Sequence, residues 1–529
     1  MILPIVKQQI NHGAPCAVPP KITVSHKGGA DARLGAEAFL TFVPSTVSAA
    51  DAFVRFAPDP TLEDRAEIYR VTVTADHILV TFRDARGAVN GAATAALLLR
   101  GGEVEQCEIL DYPGCLYRSI LIDMARGLPE KKEIETAIWY MALGKYNRLH
   151  LHLMDNKGPC YASEAVPEYA FLGQGGQCRI DELRKLEELC ASYAIEIVPE
   201  IEIPAHADAL CVAHPAFKCE VENAHTWAIC PGNDDIWSFF EALIGEVAAI
   251  FPRSEYIHIG TDELEFRDLP VPRLCHWDEC PRCAALRARE GLRDRCEEFY
   301  YVVERMHDIV RANGKKMMMW NDQIDISKEV PVSRDILIQF WRVAGKGRGP
   351  HEGCSMEKFL AQGFRVVNAY YPQTYFDIES YMSAEKMKNW TPYTIPEQSP
   401  RYAEQVIGGE ACAWEFGNVE NYPFYSYVTP AVVAVFGDKL WGLGEREHDE
   451  EYRAALASFL FGDPSLSELF GLIGGILPPR KPGMLAYTAP AAIDRARLQS
   501  CIDRIRTAPR CPAAEGYLSW LEQLAASAE

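Results

Sequence analysis

No stretch of the 529 residues approaches the ~18 uninterrupted apolar residues of a membrane-spanning helix. The opening segment, MILPIVKQQINHG, has six apolar residues before Lys7 and lacks both a basic leader and a long hydrophobic run, so no signal peptide is expected. Positive charge is short as well: 53 Lys+Arg stand against 74 Asp+Glu, a formal charge of -21. A field of that sign repels phosphate backbones and anionic lipid. Nucleic acid and membrane surfaces are therefore excluded as expected partners, and small molecules remain. Internal repeats and low-complexity tracts are missing. The 17 cysteines are odd in number and thinly spread, which fits reduced thiols in the cytoplasm better than a disulfide framework.

What is present is a globular composition, 48% hydrophobic and 24% charged, on a chain long enough for two or three domains. Residues 1–112 read as a small α/β domain: 68–83 alternates as two strands around Ala75-Asp76-His77, and Ala92–Leu99 as a helix. Asp111-Tyr112-Pro113-Gly114 punctuates the chain. Over 113–448 the rhythm changes. Eight short apolar runs, beginning near residues 119, 148, 195, 256, 316, 336, 364 and 406, alternate with helix-like sequence, as in a (β/α)8 TIM barrel. Helices are expected over 130–143, 181–193, 236–250 and 294–313, and a helical C-terminal extension over 449–529.

In such a barrel the C-terminal strand ends carry the chemistry. Here they offer Asp123 and Arg126; His150, His152 and Asp155; Glu200, Glu202 and His206; then His258 to Glu263; Trp320; Trp341; Tyr375 and Asp377; and Glu410, Trp414 and Glu415. Carboxylates among aromatic faces suit a sugar, since an acid protonates the glycosidic oxygen and a ring stacks on the pyranose. Asp262 and Glu263 are adjacent, and neighbours on a strand point to opposite faces. They are badly placed as the separate acid and nucleophile of an ordinary retaining glycosidase, about 5–5.5 Å apart across the anomeric carbon. Asp123 with Arg126 is equally readable as a structural ion pair inside the mouth.

These motifs, taken in order, resemble glycoside hydrolase family 20, the β-N-acetylhexosaminidases. HIGTDE at 258–263 is similar to the family's strand-four motif, and YRSILIDMAR (117–126), NRLHLHLMD (147–155), PEIEIPAH (199–206), MWND (319–322), QFW (339–341), TYFD (374–377) and GGEACAW (408–414) resemble the other strands. The resemblance implies an exo-acting, retaining enzyme removing terminal β-linked GlcNAc or GalNAc from an oligosaccharide or small molecule, in which the substrate's 2-acetamido oxygen attacks C1. It implies Glu263 as acid and base, Asp262 on the acetamido N–H and Tyr375 on its oxygen. Arg118 and Asp377 would clamp ring hydroxyls, Trp320, Trp341 and Trp414 would wall the pocket, and Asp155 with His206 would orient and tune the acid. No cofactor and no catalytic metal are implied. The sequence departs from the pattern at Thr261, where a glycine is usual, in the loop DNKGP at 155–159, and at Phe416, where a carboxylate is usual and Glu415 or Glu420 is the available substitute.

Two further readings stay open. Cys275, His276, Cys280 and Cys283 are a candidate structural zinc set, against the alternative of free thiols. His150 and His152 share a strand face and, with His206, His258 and Asp262, could build a metal-dependent hydrolase; a non-catalytic amino-sugar-binding protein is the other alternative. GlcNAc against GalNAc preference, the aglycone and the oligomeric state, a homodimer included, are not fixed by the sequence.

Overall fold

The computed structural model describes residues 1–48, 52–100, 104–170, 176–265, 275–343, 355–377, 382–394, 400–415, 422–477, 493–507 and 512–527. Ahead of the barrel lies a seven-stranded mixed sheet in the order 8–15, 105–111, 69–73, 78–82, 54–58, 22–26, 45–47. The expected hairpin is present as Tyr69–Val73 paired antiparallel with Ile78–Phe82. Both strands alternate buried and half-buried residues, so one sheet face meets the helices Ala30–Phe42 and Ala85–Arg100. The second helix starts seven residues earlier than its Ala/Leu run, because Asp84 accepts the Gly87 N–H at 2.7 Å and caps it.

Eight parallel strands then close into a barrel: Tyr117–Asp123, Arg148–His152, Glu196–Glu200, Tyr256–His258, Lys316–Trp320, Leu337–Phe340, Arg365–Asn368 and Val406–Ala413, the last pairing with the first. Parallel strands are covered on both faces, which is why the first and eighth are buried at every residue. The helices Lys131–Leu143, Ile180–Ser192, Asp235–Ile250 and Arg295–Ala312 fall where the apolar periodicity places them. In the last of these, Asp294 caps the start by accepting the Glu297 N–H. Among the described residues no helix is long and apolar enough to cross a membrane.

The barrel interior is layered. Its floor is apolar, formed by Tyr117, Val198, Tyr256, Met318, Leu337, Val367 and Ile407 from seven of the eight strands. Above it lies a buried polar layer. His150 Nδ1 meets Glu410 at 2.9 Å, His258 Nδ1 meets Glu200 at 2.9 Å, and Gln339 donates to Glu410. Burial opposes a charge on His150, yet Glu410 and Glu200 push it up to about 10, so the layer pairs its charges internally. The five residues of the metal-hydrolase alternative do not converge: His150 and His258 surround Glu200, whereas His206 stands with Asp262 and Glu263. The tail contributes helices Glu450–Phe461, Glu468–Leu472, Arg495–Thr507 and Pro512–Ser527.

Candidate active site

The fourth strand ends at His258, and the backbone beyond it turns through three positive-φ residues, Gly260 (65°), Thr261 (83°) and Glu263 (52°). Any side chain at Gly260 would displace the buried Glu202 carboxylate, since a Cβ there would sit 1.8 Å from Glu202 Oε2. Thr261 is a β-branched residue in the left-handed region, a strained conformation of the kind that clusters at functional sites. Its side chain is buried and its hydroxyl donates to the Trp320 carbonyl at 3.3 Å, so this departure from the family pattern turns away from the acid. The twist defeats the opposite-face rule for neighbours. Asp262 Oδ2 and Glu263 Oε2 both lie 3.6 Å from His206 Nε2.

His206 itself sits at positive φ (52°), and its Nδ1 faces Asp155 at 3.2 Å. Asp155 also receives Arg126 at 2.6 Å and His152 Nε2 at 3.0 Å. Burial disfavours its charge, but Arg126 and then His206 hold it well below the usual carboxylate range. Burial likewise opposes a charge on His206, and Asp155 and Asp262 hold its pKa well above the ordinary imidazole value. Glu263 behaves differently. Burial first, then the neighbouring Asp262 and Asp322, push its carboxyl up, against the pull of His206, so the protonated form persists further toward neutral pH.

The aromatic residues gather at the same mouth. Trp341 lies nearly parallel to Tyr375, at 12° with ring centroids 6.4 Å apart. Burial holds the Tyr375 hydroxyl well above its usual pKa, which keeps it a hydrogen-bond donor. Trp414 stands edge-on to His152 at 5.0 Å and carries the Arg126 guanidinium against its ring at 5.1 Å. Trp320 is almost wholly buried, donates its Nε1–H to Glu200 at 2.7 Å and packs 5.9 Å from Trp414. Asp377 is buried two residues after Tyr375. Glu415 has its N–H fixed by Asp123 at 2.9 Å; Phe416 and Glu420 lie outside the described residues.

Arg118 does not belong to this site. It opens the first strand and therefore lies at the barrel floor, where it is 1% exposed, pairs with Glu67 and donates to the carbonyls of Cys115 and Lys145. The guanidinium at the mouth is that of Arg126, at the other end of the same motif. Its side chain is 20% exposed and bridges Asp123 and Asp155, so the pair with Asp123 is real and is part of the site's frame.

Two residues that the motif reading did not single out, Asp322 and Trp227, also shape the mouth, together with the strand-end carboxylate Glu202. Asp322, the last residue of MWND, accepts the Glu263 N–H at 3.0 Å and the Trp341 indole at 3.0 Å. Trp227 donates to the Glu263 carbonyl at 2.8 Å and places its ring 4.5 Å from His206. Glu202 is buried beneath Gly260, its carboxyl pushed well up by burial and by Asp262. Asp322 lay inside a quoted motif, whereas Trp227 sits in a loop with no periodic signal. The candidate zinc set is redrawn too. Cys280 and Cys283 converge with Cys219 and Cys230, while Cys275 and His276 are not part of the cluster. Cys280 is the cap of the helix Pro281–Glu290, and Cys283 lies in its first turn.

Comparison with known proteins agrees with this fold. A β-hexosaminidase of Akkermansia muciniphila is 31% identical over 287 residues, 49% of this chain and 56% of that protein, so the match spans only about half of that relative's length. A β-hexosaminidase of Vibrio furnissii is 28% identical over 443 residues, 75% of this chain and 68% of that protein. The fold is similar to a solved Vibrio harveyi family 20 exo-β-N-acetylglucosaminidase in complex with N-acetylglucosamine, with TM-score 0.72, 22% identity, and coverage of 89% of this chain and 77% of that one. Residues 116–441, from the first barrel strand to the end of the last barrel helix, match the family model described as glycosyl hydrolase family 20, catalytic domain. That match covers more than half of the chain, and with the barrel and its adjacent carboxylates it shows that this chain belongs to glycosyl hydrolase family 20.

Proposed function

We propose that the protein is an exo-acting β-N-acetylhexosaminidase that removes terminal β-linked GlcNAc or GalNAc with retention at the anomeric carbon. The observation that carries this reading is the convergence of Asp262 and Glu263 on one imidazole, which puts two carboxylates on one side of the reacting centre. Both carboxylates face the same imidazole rather than each other across C1, so the nucleophile comes from the substrate. The acetamido oxygen bonds to C1 as the C1–O bond to the leaving group breaks, and Glu263 gives its proton to that departing oxygen. Water then attacks C1, the acetamido group is released, and the water's proton returns to Glu263. Asp262 accepts the acetamido N–H and stabilises the positive charge that grows there. Tyr375 donates to the acetamido oxygen.

Trp341 and Trp414, backed by Trp320, wall the sugar, and Arg126 and Asp377 take ring hydroxyls. Asp155 holds His206 as an imidazolium, which in turn holds the two carboxylates. The β-hexosaminidases of Akkermansia and Vibrio, and the Vibrio harveyi relative with its bound N-acetylglucosamine, support the substrate class. A reducing compartment, the cytoplasm, is part of the same proposal, supported by the odd number and thin spread of the 17 cysteines. The test is release of p-nitrophenol from the β-GlcNAc, β-GalNAc and β-Glc glycosides side by side. Turnover of the two acetamido sugars with no detectable glucoside cleavage is expected; efficient glucoside cleavage would overturn the mechanism.

A further inference from the structure

We propose that Cys219, Cys230, Cys280 and Cys283 hold a structural zinc ion that fastens the loop after the third barrel strand to the loop after the fourth. All four side chains are buried, and their sulfur atoms lie within 4.8 Å of one another. Cys230 Sγ is 3.6 Å from the sulfurs of both Cys280 and Cys283, and Cys219 Sγ is 4.0 Å from that of Cys283. A tetrahedron of sulfurs at the usual Zn–S length of ~2.3 Å has edges of about 3.8 Å. A disulfide requires ~2.05 Å. The spacing is that of ligands around a common centre. Four protein ligands close the coordination sphere, so the ion is structural and has no open position for chemistry.

The local sequence is arranged to serve this centre. Cys280-x-x-Cys283 starts the helix Pro281–Glu290, with Cys280 as its cap, and a helix N-terminus favours the thiolate form that binds metal. From the other loop, Cys230 is anchored by its N–H to the Phe217 carbonyl at 2.7 Å. Gly232 then lets that loop lie flat on the helix start; a Cβ there would meet the Arg282 carbonyl carbon at 2.4 Å and the Cys283 nitrogen at 2.7 Å. Trp277 Nε1 donates across to Ile229 at 2.8 Å. The two loops so joined also carry the site: His206 and Trp227 belong to the first, Asp262 and Glu263 to the second. Trp227 lies between Cys219 and Cys230 in sequence and donates to the Glu263 carbonyl.

Metal analysis of the purified full-length protein tests this. About one zinc per chain is expected, with the four thiols protected from alkylation in the folded protein until a chelator is added. In Cys230→Ser and Cys283→Ser the zinc content should fall at least tenfold, while Cys275→Ser keeps it. Should those variants fail to fold, the wild-type chain grown with cobalt in place of zinc gives the same answer. A sulfur-to-cobalt charge-transfer band with the intense d–d bands of a tetrahedral site supports the proposal, and octahedral-type weak bands count against it. Protein that carries no zinc, with these thiols freely alkylated or recovered as disulfides, overturns it.

Discussion

Asp322 collects four donors. Beyond the Glu263 N–H and the Trp341 indole it accepts from Gln323 at 2.8 Å and Arg342 at 3.2 Å. One buried carboxylate thus fixes both the acid and an aromatic wall. Asp322→Ala leaves those donors unpaired, and turnover is expected to fall by about 10²-fold or more, with a weaker grip on the sugar as well. Glu263→Gln should lower turnover by about 10²–10⁴ on a poor leaving group and far less on a nitrophenolate, which needs no proton. Equal losses on both would remove Glu263 from the acid role. Because the Glu263 carboxyl lies above its ordinary range, activity on poor leaving groups should persist above that range and decline as pH rises through the raised value; the profile of Glu263→Gln should lack that limb. Asp262→Asn removes the charge beside the acetamido nitrogen and should cost about 10²–10³ in turnover, independent of the leaving group.

At the scale of the elements, the barrel was legible because the parallel strands are short and largely buried, and their polar residues gather toward the C-terminal ends. Asp262, Glu263, Tyr375, Trp341 and Trp414 all follow from that rule. Arg118 breaks it: YRSILIDMAR holds an arginine at each end, and only the second lies at the mouth. Strand direction alone separates them. The twist that brings Asp262 and Glu263 together depends on backbone angles that residue types do not reveal, and the Cys219 and Cys230 partners were hidden by their distance along the chain. The two arginines should fail differently. Arg118→Met strands the buried Glu67 carboxylate and should destabilise the fold by about 3–5 kcal/mol, leaving the constants of the folded fraction unchanged. Arg126→Met should raise KM and lower turnover at smaller cost to stability. Equilibrium unfolding beside steady-state kinetics distinguishes them.

Across the whole molecule, the sheet and the barrel floor are joined by buried charge. Arg118 meets Glu67, and Lys145 meets Asp111 at 2.9 Å with both side chains fully buried. Trp441, near the end of the last barrel helix, donates to the same Asp111 at 3.0 Å. Asp111→Ala should therefore cost about 3–5 kcal/mol, and a chain lacking residues 1–112 should not fold. Glu67 gives the pH dependence. Burial opposes its charge, but Arg118 and Arg86 hold its pKa below the ordinary 4.5. Its contribution is complete above 4.5 and is lost as pH falls from there toward the depressed folded value, because the unfolded chain takes up the proton first. Acid titration of unfolding in wild type and in Glu67→Gln checks this, the variant losing less stability on acidification. The same floor gathers the start of the chain. Ile5 donates to Asp438 at 2.8 Å and Lys7 to the Gly442 carbonyl at 2.8 Å, both at the end of a helix that has run back down from the mouth. Anything attached ahead of residue 1 leaves from the side opposite the sugar. An enzyme immobilised on beads through that end should thus keep its full rate on bulky oligosaccharides, whereas attachment through Lys157, which donates to the Arg126 carbonyl at the mouth, should obstruct them.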